Sequence, residues 1–183
     1  MNPEIIEGGT ALFYKYIIQH QDQVSKHYID GYYHVDVVAE AYSQGFKDGK
    51  ESGKKDFLEE MRKNTLEKFF RRATQVYVLT KTVVEFLNRN KYKVDSIYLD
   101  VLAQCPRVII SVNDSLLIDD DFVKSSYAKI FEMKRIFSEL FDSNLDMGLV
   151  SSGNLNDALL KADGFGYSEN LAINEHKKTR GKK

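Results

Sequence analysis

Between Lys47 and Arg71 a charged residue recurs at every fourth position with strictly alternating sign: Lys47, Glu51, Lys55, Glu59, Lys63, Glu67 and Arg71. Residues four apart are neighbours on an α-helix, and opposite charges there stabilise it by about 0.2–0.5 kcal/mol per pair. Seven alternating charges in register have no comparable explanation on a loop. The stretch is therefore expected to be one solvent-facing helical ridge. The helix is placed from about Val37 to about Asn88, with Asp36 as its cap. The only prolines are Pro3 and Pro106, so no proline interrupts a long helix between them.

A second ladder runs two residues out of phase, through Ala41, Gly45, Gly49, Gly53, Phe57, Met61, Thr65, Phe69, Ala73 and Tyr77. Two residues turn a helix by about 200°, so this uncharged ridge lies opposite the charged one. Three glycines inside a helix each cost about 1 kcal/mol relative to alanine. Close approach of a second helix would offset that loss. A spacing of four drifts about 40° per step, which favours right-handed crossing rather than a heptad coiled coil. The expected interface is Tyr42, Gly45, Gly49, Gly53, Phe57 and Met61.

The run Tyr42-x-x-Gly45-Phe46-x-x-Gly49-x-x-x-Gly53 resembles the glycine-repeat helix of flagellar and type III secretion ATPase regulators, which are related to peripheral-stalk subunits of rotary ATPases. The resemblance covers about a dozen residues. It implies a small α/β domain after the long helix, and an elongated dimer that binds an ATPase.

Ahead of the ladders, Leu12, Phe13, Tyr16, Ile17, Val24 and Tyr28 follow a helical spacing, with Thr10 as the expected N-cap. Asp30-Gly31 reads as a stop, and the tyrosine-rich stretch from Tyr28 to Tyr33 as a hinge. Beyond Lys93 the pattern changes. Ile97, Leu99 and Val101 alternate with polar or half-polar neighbours, as a half-buried strand does. Gln104-Cys105-Pro106 turns the chain, and the β-branched run from Arg107 to Val112 reads as a more central strand. Leu116 to Ile118 is read as a short edge strand or a lead-in. An amphipathic helix follows, with Val123, Tyr127, Ile130, Phe131, Phe137, Leu140 and Phe141 on its inner side. Leu145, Met147 and Leu149 form a third strand, Leu155 to Ala162 is ambiguous, and Gly164-Phe165-Gly166-Tyr167 is read as an added edge strand. The expected fold is α+β: N-terminal helices, including the glycine-ladder helix, then a small open-sheet β-β-α-β domain. Its parts are residues 1–35 (helix and hinge), 36–90 (long helix), 91–170 (α+β domain) and 171–183 (basic disordered tail).

The chemistry offered by the sequence is sparse. Asp119, Asp120 and Asp121, with Asp114 nearby, could hold a divalent metal through carboxylate oxygens. The same residues serve equally as helix caps that complement the macrodipole. His20, His27 and His34 are seven apart, but no two lie at the three- or four-residue spacing of a ligand pair on a helix. Cys105 is the only cysteine, which excludes an internal disulfide and fits a reducing compartment. Gly164-Phe165-Gly166-Tyr167 lacks the order of a phosphate loop. No apolar run approaches the ~18 residues of a membrane span. The start, Met-Asn-Pro-Glu-Ile-Ile-Glu, lacks the pattern of a signal peptide, so a cytoplasmic location is expected.

The formal charge of −1 conceals a basic end, with Lys177, Lys178, Arg180, Lys182 and Lys183 in the last eight residues. Such a tail could contact nucleic acid or an acidic partner, although the rest of the chain offers no basic face of its own. The expectation is a non-enzymatic assembly or adaptor protein acting through helix pairing, with a protein partner or a second copy and without a cofactor. The alternatives are a small metal-dependent enzyme built on Asp114 and Asp119–Asp121, and a nucleic-acid accessory protein using the basic tail.

Overall fold

A computed structural model describes residues 8–20 and 51–171. Val24, Tyr28, the tyrosine-rich hinge, Asp36 and the ladder positions from Ala41 to Gly49 lie outside the described residues, as does the basic tail. The chain divides after Ala73 into two compact units, residues 1–73 and 74–183.

In the first unit, α1 spans Gly8–Gln19. It begins two residues before Thr10, which therefore sits in the first turn and is not the cap. Glycine is accepted at helix starts, where the first amides have no intrahelical partner to lose. Phe13, Tyr16 and Ile17 form its buried stripe at the spacing of one helix face, while Leu12 and Ile18 are exposed. The His20 ring donates from Nδ1 to the Tyr16 carbonyl at 2.8 Å.

The second helix, α2, is unbroken from Glu51 to Arg89. It passes through Gly53 and Asn64, as the charge ladder required, and Glu59, Lys63, Glu67 and Arg71 are all exposed. On the opposite ridge exposure falls from 45% at Phe57 to 1% at Phe69. Past Ala73 the buried positions no longer keep a spacing of four. They run Val76, Thr80, Val83 and Leu87, with Tyr77 and Val84 beside them. The reason is geometric: a fixed spacing of four rotates away from any one face, whereas mixed steps of three and four average close to the helical repeat of 3.6 and stay on it. Thr80 is tolerated in this stripe because its hydroxyl donates to the Val76 carbonyl at 2.7 Å. The helix closes on Lys91 in the left-handed region (φ 65°), with the Tyr92 amide donating to the Leu87 carbonyl.

The rest of the second unit is a four-stranded mixed sheet. Its strands are β1 (Val94–Asp100), β2 (Arg107–Val112), β3 (Asp146–Ser151) and β4 (Tyr167–Asn170), in the order β3-β2-β1-β4. β1 pairs antiparallel with β2 and β4, and β2 pairs parallel with β3. Between β2 and β3 lie a one-turn helix, α3 (Asp114–Leu117), and the long crossover α4 (Asp120–Phe141). A short α5 (Asp157–Ala162) precedes β4. The α+β expectation holds, and the β-branched run is the interior strand it was read to be. Residues 116–118 are not a strand. The Asn113 side chain accepts the Ser115 amide and starts a helical turn there.

The strand register separates two faces. Ile97, Leu99, Val108, Ile110, Met147, Leu149, Tyr167 and Glu169 share one, and all are buried. Ser96, Tyr98, Ile109, Ser111, Gly148, Val150, Ser168 and Asn170 share the other. The α4 helix buries Phe122, Ser126, Ile130, Met133 and Phe137. Two residues assigned to its inner side, Phe131 and Leu140, are 61% and 59% exposed. The apolar residues of α4 cover more than half its circumference, and packing selects the flank centred on Ile130 and Met133.

Candidate functional site

The sequence-based candidates fall in separate places. Of the expected helix interface, Tyr42, Gly45 and Gly49 lie outside the described residues. Gly53 is inside α2, Phe57 is exposed and Met61 is half-buried. Among the acidic residues, Asp119 is the N-cap of α4 and accepts the Asp121 and Phe122 amides at 2.9 and 3.1 Å. Asp120 and Asp121 fill its first turn, and Asp114 accepts a hydrogen bond from the Ser151 hydroxyl. Among the described residues no three His, Cys, Asp or Glu side chains are grouped to hold a metal ion. Cys105 is an exposed free thiol in the turn between β1 and β2. His27, His34 and the five tail cations lie outside the described residues, and no described helix is long and apolar enough to cross a membrane.

What the structure assembles instead lies on the second sheet face. Ser96 stands opposite Ser111 on one side and Asn170 on the other, so three polar side chains form a row across β2, β1 and β4. The register slips by one residue between Val94 and Ser96, a bulge that sets Asp95 beside this row. The segment after β3 contributes Ser152, Leu155, Asn156 and Asp157. Together with Tyr98 these residues line an open cleft of about 490 Å³. Asn156 is fixed as the cap of α5, accepting the Ala158 and Leu159 amides. Asp157 is held by the Tyr98 hydroxyl, which donates to its carboxylate at 2.9 Å.

The sequence reading missed every one of these positions. They are ordinary polar residues spread from Asp95 to Asn170, and only strand pairing brings them together. The one local signal is Ser111, a hydroxyl inside the run Val108-Ile109-Ile110-Ser111-Val112.

Two further polar knots hold the edges of this unit. Behind β4, on the buried face, Glu169 accepts from Tyr77 at 3.2 Å, Tyr167 at 3.4 Å and Lys81 at 3.1 Å. At the other end of β1, Arg107 forks onto Asp100 through Nε at 3.0 Å and Nη2 at 2.7 Å, and also donates to the Asp163 carbonyl. Gly164 follows with φ +100°, where an added Cβ would lie 3.1 Å from Asp100 Oδ2. Glycine is required there both for the backbone conformation and for the space.

Burial raises the phenols of Tyr98 and Tyr167 above the ordinary tyrosine value, Tyr167 further through the nearby Glu169 charge. For Tyr98 the hydrogen bond with Ser96 acts in the opposite direction, and Asp157 adds to the rise. Both groups are therefore protonated in the folded chain at pH values where the unfolded chain has begun to lose those protons. Stability is expected to be unaffected below about pH 10 and to fall above it. For Tyr167 the slope should approach about 1.4 kcal/mol per pH unit, with Tyr98 adding to it in the same direction. Urea unfolding from about pH 9 to about pH 11 checks this, and Tyr167→Phe should remove part of the slope.

No family model, no curated protein and no solved structure matches this chain.

Proposed function

We propose that this chain is a non-enzymatic assembly or adaptor protein whose long helix docks a second helix on its uncharged ridge. The observation that carries the reading is the course of exposure along that ridge. Phe57, four residues after Gly53, and its neighbour Leu58 are left 45% and 41% exposed on a continuous helix, while Phe69 and Ala73 further along are buried. Large apolar side chains beside a position with no side chain suit the close approach of another backbone. The opposite ridge, charged and exposed, keeps association to one side.

A second copy of the chain is the simplest occupant. Light scattering on a sizing column is expected to give twice the 21.1 kDa chain mass. Gly49→Leu and Phe57→Glu should each return the mass of a single chain while the amide spectrum of residues 74–171 stays unchanged. An unchanged mass in both variants removes the ridge as the interface.

A further inference from the structure

Ser111 occupies an interior strand where stability alone favours a β-branched apolar residue. It is fully buried, and among the described residues its hydroxyl has no hydrogen-bond partner. Buried polar groups nearly always have partners, because leaving one unsatisfied is destabilising. Ser111 lines the cleft, on the same sheet face as Ser96, Tyr98 and Asn170. The orphan hydroxyl and the cleft are separate observations, and both point to a bound group.

The lining defines that group by exclusion and by complement. Among the described residues it contains two carboxylates, Asp95 and Asp157, and no lysine, arginine or histidine. A phosphate or carboxylate would meet repulsion with no compensating charge. Leu155 is the only aliphatic side chain in the lining and the Tyr98 hydroxyl is engaged, so an extended apolar ligand finds little to cover it. A bare metal ion would need more carboxylate or imidazole ligands together than the cleft supplies. The acceptors present are carboxylate, amide and hydroxyl oxygens. An ammonium group carries three donors and no acceptor, and its bonds to carboxylates are charge-assisted.

We propose that this cleft binds a small protonated alkylamine, with Asp95 and Asp157 as counter-charges and the Ser111 hydroxyl as an acceptor on its floor. The site stands independently of the helix reading, since all its residues belong to the second unit.

The test is an amide NMR titration of the full chain with 1,4-diaminobutane to about 10 mM at constant ionic strength, with glucose and inorganic phosphate as parallel probes. Saturable shifts are expected at Ser96, Ser111 and Asn170 with the diamine alone. Ser111→Ala should weaken the diamine roughly fivefold or more while its melting temperature stays equal or rises, since the orphan hydroxyl is gone. Asp95→Asn, which keeps the side-chain volume, should weaken it through the lost charge. No saturable shift with the diamine, or equal affinity in Ser111→Ala, overturns the site. Equal shifts with glucose overturn the assignment of a cationic ligand.

Discussion

Arg107→Ala should destabilise the second unit by about 3 kcal/mol, because it strands a buried carboxylate. The Asp100 side chain is 5% exposed, and without the guanidinium fork it keeps only the Ala103 amide at 3.2 Å. The arginine itself is 40% exposed, so solvent already screens part of the attraction, and the estimate sits at the lower end of the usual range for breaking a buried pair. The substitution also removes the cation stacked 4.9 Å from the Phe165 ring and the donor to the Asp163 carbonyl. Chemical denaturation of the single variant, of Asp100→Asn and of the double variant measures the coupling directly. The double variant is expected to be less destabilised than the sum of the singles, because neither charge is left alone. Additive effects would mean that the fork contributes nothing to stability.

The second large effect is expected at Glu169. Glu169→Leu keeps comparable bulk but removes the acceptor shared by Tyr77, Tyr167 and Lys81. The two phenols interact and stand edge-on with ring centroids 6.0 Å apart, so in the variant one hydroxyl can donate to the other. The proton of the second phenol and the half-buried lysine lose their acceptor. A loss of about 2–3 kcal/mol is expected, within the usual cost of orphaning a buried donor. Melting curves check the size, and Glu169→Gln, which keeps an acceptor oxygen, should recover part of it. Equal stability of Glu169→Leu and the parent chain would remove the knot from the list of what holds β4 in place.

The helix α2 was legible because its signal is local and redundant: alternating charges at a spacing of four carry one meaning. The strands β1, β2 and β3 and the start of α4 were legible for the same reason, through β-branched runs, alternation and a capping aspartate. Where the reading went astray, local pattern was ambiguous. Phe131 and Leu140 are as apolar as Phe122 and Met133, so composition cannot choose the flank of α4 that is buried. Leu116-Leu117-Ile118 looks like strand until the Asn113 side chain closes a turn. The cleft was not legible at all. Ser96, Ser111 and Asn170 become neighbours only through pairing across three strands, and Ser111 is exceptional only once its burial is known.

The order of the strands has a consequence for how this unit opens. Among the described residues β4 is the last strand and pairs with β1 alone, while Ser152, Leu155, Asn156 and Asp157 lie in the segment just before it. One contiguous stretch therefore forms one wall of the cleft, and its release would leave the pairing of β1, β2 and β3 intact. Short edge elements release at lower free energy than interior strands. Release of this stretch would be opposed by its pairing with β1, by Glu169 on the buried face and by the Arg107 bond to the Asp163 carbonyl at the foot. A cation held between Asp95 on β1 and Asp157 on this stretch would add to what keeps the two together.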